Sequence, residues 1–145
     1  MMSERRIPVP EHHPDPWVDQ IHGYVTHVVE TLGRAGVPVE GCWLDPSGPR
    51  DATILIRSAS GRRALVWDEE TGWREGRFVR GRQGERTVLD GESHLGGDVL
   101  PDGDAVLDRL LSGVREERRA FRVHSDRSDG FAARLAAHSP AAALV

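Results

Sequence analysis

A change of hydrophobic period partway along the chain restricts the fold more than any other feature. Trp17, Val18, Ile21, Tyr24, Val25, Val28, Val29 and Leu32 recur at spacings of three and four, which lines them up on one face of an α-helix. Asp15-Pro16 stands before them. An aspartate there accepts from the free amides of a first turn, and proline suits the first helical position because its missing N–H has no partner there. Gly33, Gly36 and Pro38 close the pattern. The spacing predicts one helix over Pro16–Arg34.

Beyond it the apolar runs are short: Val39–Leu44, Ala52–Arg57, Arg63–Asp68 and Trp73–Val79, with a weaker fifth at Arg86–Leu89. Turn-forming clusters separate them at Asp45–Pro49, Ser58–Gly61 and Glu69–Gly72. Short strands joined by short turns predict an antiparallel meander. If Glu70-Thr71-Gly72 is the loop of the third turn, Glu69 faces Trp73 and Asp68 faces Arg74. Leu65, Trp67, Trp73 and Val79 then share one face. A four-residue loop is the other possibility.

The glycine-broken stretch Ser93–Pro101 leads to a second helix, capped by Asp102 or Asp104, with Val106, Leu107, Leu110, Leu111 and Val114 as its stripe. Arg115–Arg119 is its solvated end, and Gly130–Ala137 is a candidate short helix. The expected fold is α+β. It is a two-layer sandwich in which an antiparallel sheet of four to five strands carries an N-terminal and a C-terminal helix on one face. The other face is expected to be bare. Residues 1–14 are expected as a flexible arm, 15–122 as a single α+β domain, and 123–145 as a flexible or partly helical tail.

Composition narrows the class further. A chain of 145 residues with one cysteine is long enough for a real core, but has no disulfide framework and no multi-cysteine zinc site. No apolar run approaches the roughly 20 residues of a membrane span, and nothing apolar follows Arg5-Arg6 to make a secretory signal. A cytoplasmic protein with no membrane partner is expected. The net charge of −4 argues against a globally basic nucleic-acid binder. All 19 basic side chains are arginine, with no lysine and no asparagine; this looks like the coding bias of a GC-rich bacterial genome and lowers the weight of any arginine cluster.

The candidate chemistry is sparse. His12, His13, His22 and His27 lie close in sequence with Asp19 among them. Asp19 and His22 share a helix face and are the candidate metal ligands. His22 and His27 are about 140° apart around the axis, and the spacing of zinc proteases is missing. Cys42 beside Trp43 reads as packing rather than as a reactive thiol. Arg74, Arg77, Arg80, Arg82 and Arg86 stand against Glu75 and Glu85, five charges minus two, a local +3 that suits a phosphate backbone. Leu95-Gly96-Gly97-Asp98 lacks the lysine and the spacing of a phosphate-binding loop. No cofactor is implied.

Two segments carry a resemblance. Val66-Trp67-Asp68-Glu69-Glu70-Thr71-Gly72-Trp73 and Leu95-Gly96-Gly97-Asp98-Val99-Leu100-Pro101 together resemble a family of small uncharacterised proteins, a domain of unknown function, from GC-rich Gram-positive bacteria. The helix carrying His22, Tyr24 and Val25 fits its opening. The resemblance spans about residues 16–115, implies one domain, and brings no activity and no catalytic residues.

The leading functional expectation is a non-enzymatic binding or regulatory module. Its partner is another protein or a second copy, docked on a bare sheet face through Trp67, Trp73, Arg74 and Arg77, because tryptophan dominates binding hot spots. The alternatives are nucleic-acid association through Arg74–Arg86, and a small enzyme with a pocket between the first helix and the sheet using Asp19 and His22.

Overall fold

A computed structural model describes residues 7–45 and 48–138. Met1–Arg6, the turn residues Pro46-Ser47 and the tail beyond His138 lie outside the described residues. The described chain forms α1 (Pro16–Asp19), α2 (His22–Arg34), β1 (Val39–Asp45), β2 (Asp51–Ser58), β3 (Gly61–Asp68), β4 (Gly72–Arg82), β5 (Glu85–His94), α3 (Gly103–Ser112) and α4 (Phe131–Ala136). The five strands make one antiparallel sheet in the order β1-β2-β3-β4-β5. The helices lie on one side of it, as the two-layer α+β expectation requires.

The first helical stripe is buried as its spacing predicts: Val18, Ile21, Tyr24, Val25, Val28, Val29 and Leu32 are sealed in the core. The helix itself is broken after Asp19. In an unbroken helix the Ile21 amide would bond the Trp17 carbonyl. Here it bonds the Val18 carbonyl instead, and the Trp17 carbonyl accepts from Arg50 Nη1 at 2.9 Å. A buried arginine from the β1–β2 connection has taken the helix's own acceptor. That exchange divides one predicted helix into α1 and α2 without turning its apolar face.

Opposite the helices, Leu44, Ile54, Leu65, Trp67 and Trp73 form the sheet's half of the core. Trp67 pairs with Trp73 and Asp68 with Gly72, one step along from the predicted register of Glu69 with Trp73. The pair sum changes by two, so Leu65, Trp67 and Trp73 keep their predicted shared face, whereas Val79, beyond the register shifts of β4, is 45% exposed and outside the core. Asp68 sets the turn: Oδ1 accepts the Glu70 and Thr71 amides, and Oδ2 accepts the Thr71 hydroxyl and Arg74 Nη1. Gly72 adopts φ +76° to close it, a conformation only glycine takes freely. The predicted Asp68–Arg74 ion pair forms, at 2.9 Å, although the two residues are not directly opposite.

The loop after β5 plugs the core's end. Leu95, Val99 and Leu100 are buried. Trp67 Nε1 donates to the Val99 carbonyl at 2.7 Å, Trp73 Nε1 to the Tyr24 hydroxyl at 2.9 Å, and that hydroxyl to the Pro101 carbonyl at 2.5 Å. Both indole N–H groups are thereby satisfied, as buried donors must be. Asp102 caps α3 through the Ala105 amide, and left-handed Gly113 ends it.

The second face of the sheet is not bare, which corrects the expectation. β4 and β5 are longer than predicted and carry register shifts at Glu75/Arg77, Phe78/Arg80 and Arg80/Arg82. Bulges bend a strand and increase its twist. The bend carries the far end of this hairpin across β1 and β2. The hydroxyls of Thr53 in β2 and Thr87 in β5 bond at 2.6 Å although two strands lie between them in the sheet. Trp43 of β1 meets the Phe78 ring edge-on, and Arg86 clamps Asp51 at 2.6 Å.

The terminal segments also pack. Ile7 lies against Gly33, Cys42 Sγ donates to the Pro8 carbonyl, and His22 Nε2 donates to the Pro10 carbonyl at 2.9 Å. At the other end, Phe131 and Leu135 of α4 enter the core, with the Phe131 ring stacked parallel to Trp67. Arg122 lies over Phe131 and bonds both Glu69 and Asp129.

Candidate functional site

The predicted site residues are scattered. Trp67 and Trp73 are 0% and 1% exposed and face the helices. Their apolar area belongs to the core, about 1.5–3 kcal/mol or more for each large side chain. They offer no docking face, and the expected exposed indoles are corrected on this point. Trp17 is held between the guanidinium groups of Arg50 and Arg127, and Trp43 is partly covered by Phe78.

Four of the five arginines of the β4–β5 hairpin are paired, three of them with carboxylates outside the window that defined their local charge. Arg74 pairs with Asp68 and Glu92, Arg77 with Asp90, Arg82 with Glu85 and Arg86 with Asp51. Such paired charges release few counterions from a phosphate backbone. They serve the hairpin's fold over the sheet.

Asp19 and His22 do approach one another, in company the sequence only hinted at. The His12 ring stacks on His22 at 3.7 Å, and Asp19 bonds His12 Nδ1 at 2.9 Å and the His13 amide at 2.8 Å. Burial opposes the Asp19 charge, but these bonds prevail and hold its carboxyl below the usual range. His22 Nε2 is occupied by the Pro10 carbonyl. Among the described residues no group of three or more His, Cys, Asp or Glu is placed to hold a metal ion. Burial pushes the Cys42 thiol up to about 12, opposite to what a nucleophilic cysteine needs.

A different surface stands out. Val37 and Pro38 in the turn after α2, Ile56 of β2, and Leu110 and Leu111 of α3 enclose a groove of about 310 Å³. Its wall is apolar and its floor is the Arg63–Glu75 ion pair. Burial opposes the Glu75 charge, but Arg63 and Arg115 outweigh it and keep this nearly sealed carboxylate ionised, below its usual range. The groove exists because α3 covers the sheet incompletely. Of its predicted stripe, Val106 is fully buried and Leu107 and Leu110 partly. Leu111 is 70% exposed and Val114 47%. Gly103 explains the angle of approach: it sits against Thr31 and its amide donates to His27 Nε2 at 2.9 Å. This draws the start of α3 onto α2 while the far end stands away.

Sequence reasoning treated the whole Val106–Val114 stripe as core. The missed signal was its width, more apolar positions than one short helix needs to bury.

The profile of a family of unknown function, DUF6292, matches residues 24–112, more than half of the chain. The chain belongs to that family. No curated protein and no solved structure matches it. The DUF6292 span runs from Tyr24 in α2 to Ser112, the last residue of α3. Every residue lining the groove falls within it. Asp19, His22 and α4 fall outside. The two segments behind the resemblance form one unit inside it, joined where Trp67 bonds the Val99 carbonyl. No helix among the described residues is long and apolar enough to cross a membrane.

Proposed function

We propose that this DUF6292 chain is a non-enzymatic binding module of a GC-rich bacterial cytoplasm, and that it self-associates through the α3 face. One observation carries the proposal: a leucine exposed to 70% stands on the rim of an apolar groove. Exposed leucines scattered singly need no explanation, but a protruding side chain beside an unfilled apolar groove does. Knob and hole on one surface are self-complementary under a two-fold axis, since each copy's Leu111 fills its partner's groove. The surface replaces the tryptophan face that the fold has taken into its core. The half-buried Arg63–Glu75 pair beneath the groove gives the contact a fixed floor.

The experiment is light scattering and sedimentation equilibrium on the full chain and on Leu111→Glu. The wild type should sediment at twice 16.0 kDa and the variant at the monomer mass with an unchanged circular dichroism spectrum. Leu111 contributes little to the core at its exposure, so the variant folds. A wild type that remains monomeric at high concentration overturns the proposal, and so does a variant that still dimerises.

A further inference from the structure

On the opposite side of β4 from the groove lies a second cavity, of about 240 Å³, and its lining is polar throughout: Asp68, Thr71, Arg74, Glu92, His94 and Arg118. Neighbouring residues of β4 point to opposite faces, so Glu75 serves the groove and Arg74 this cleft. The chain itself completes the wall. After α3 it returns along β5, where the Glu116 amide donates to the His94 carbonyl at 2.9 Å, and it then reaches the Glu70 carbonyl through the Phe121 amide at 2.8 Å. Arg118 lies between these two anchors.

The acceptors of Asp68 are used, while Arg118 and one edge of Arg74 are not. Both oxygens of Asp68 are filled by the Glu70 and Thr71 amides, the Thr71 hydroxyl and Arg74 Nη1. Arg74 Nε lies 3.3 Å from Glu92, which leaves its Nη2 uncommitted. Arg118 makes no hydrogen bond or ion pair with a described residue. His94 is 9% exposed, and its Nδ1 is buried with no partner. A buried N–H without an acceptor is costly, so the ring proton belongs on Nε2, the nitrogen that is not sealed. Burial, then Arg74, favour the neutral ring; Glu92 opposes them, Arg118 adds a smaller push the same way as Arg74, and Asp68 opposes least. The cleft thus offers two guanidinium groups and one imidazole N–H, opposed by two carboxylates, Asp68 with its oxygens already bonded and the half-exposed Glu92.

We infer that this cleft binds a small carboxylate anion, held by Arg118 and Arg74 with His94 as a third donor. A guanidinium presents paired N–H groups that match the two oxygens of a carboxylate. One negative charge suits the site better than two, because Asp68 and Glu92 remain to repel a dianion. The cavity has room for a short-chain acid. The inference is independent of self-association, since the groove and the cleft lie on opposite sides of the sheet.

The test uses the full chain and sodium acetate, followed by the ring resonances of His94 in NMR spectra, with sodium phosphate as the comparison anion and sodium chloride as the ionic-strength control. Acetate should shift the His94 signals saturably in the millimolar range. It should also raise the pH at which His94 titrates, since a bound anion favours imidazolium. Arg118→Ala should weaken acetate binding about tenfold, the loss of one charge-assisted contact, without unfolding the protein, because Arg118 is exposed and unbonded. Arg118→Lys should recover part of it. Shifts that chloride reproduces, shifts that never saturate, or equal acetate affinity in Arg118→Ala would each overturn the assignment. Tighter binding of phosphate than of acetate would overturn the choice of carboxylate.

Discussion

Replacing Glu69 by Gln should be the most destructive near-isosteric change in this protein. Arg50 and Glu69 are both 1% exposed, and the carboxylate collects four donors: the Arg50 amide at 2.6 Å, Arg50 Nε at 2.9 Å, Arg50 Nη2 at 2.8 Å and Arg122 Nη1 at 3.0 Å. A glutamine keeps one acceptor oxygen but turns an NH₂ toward a guanidinium, donor against donor, and strands the buried Arg50 charge. Breaking a buried pair from one side costs about 3–5 kcal/mol. The Trp17 carbonyl, Gln20 Oε1 and the Trp17 ring still hold Arg50, which places the loss near the lower end, about 3 kcal/mol. Against a total of about 5–15 kcal/mol this is severe. In urea, with a slope near 2 kcal/mol per molar, the midpoint should fall by about 1.5 M, read by tryptophan fluorescence. Burial opposes the Glu69 charge, but the bonds from Arg50 and Arg122 hold its folded value below the ordinary 4.5. The pair's contribution is therefore complete above that value and lost as pH falls through the lower folded one, so wild type and variant should converge in acid. The double variant Arg50→Met/Glu69→Met should recover most of the loss, because an apolar pair strands no charge. A single-variant loss under about 1 kcal/mol, or a double variant worse than Glu69→Gln, would refute the argument.

Two other outcomes follow from the same packing. Gly103→Ala would place a methyl on the Thr31 side chain and lower stability by about 1–3 kcal/mol; adding Thr31→Ala should restore most of it, as thermal unfolding will show. The Cys42 thiol, pushed up to about 12 and bonded to the Pro8 carbonyl, should react with a thiol reagent at pH 8 far more slowly in the native protein than in urea. Equal rates would contradict its burial.

What the sequence disclosed and what it hid divide along the distance between interacting residues. The stripe Val18–Leu32 is visible because helical spacing is local, and each of its positions is buried as expected. The break after Asp19 is invisible, because the group that causes it, Arg50, comes from a connection far along the chain. Trp67 and Trp73 keep their predicted shared face, since a register slip of this kind preserves the alternation. The direction that face looks is a matter of packing, and the helices claimed it. In the β4–β5 hairpin, a charge count over Arg74–Arg86 omits Asp51, Asp68, Asp90 and Glu92, the partners that the fold supplies. Glycines were the overlooked hint there. A side chain at Gly81 would run into Thr87 and one at Gly76 would press on the Asp90 carbonyl, so the hairpin needs Gly81, and Gly76 eases its close approach.

That closure decides where a partner can bind. A five-stranded sheet with helices on one side ordinarily leaves a second side for docking, but here the bulged hairpin occupies it and uses its arginines as clamps. The polar cleft survives on that side because Asp68 and Arg74 sit at the end of the sheet nearest the Trp67–Trp73 turn, where the returning segment with Arg118 completes a wall without filling the space. The apolar groove survives on the helical side because Gly103 draws only the start of α3 onto α2. Both openings thus result from incomplete coverage by the segments that follow β5. Moving α3 inward, with a larger residue at Leu110 to fill the groove, should remove self-association and leave acetate binding intact, whereas a change at Arg118 should do the reverse.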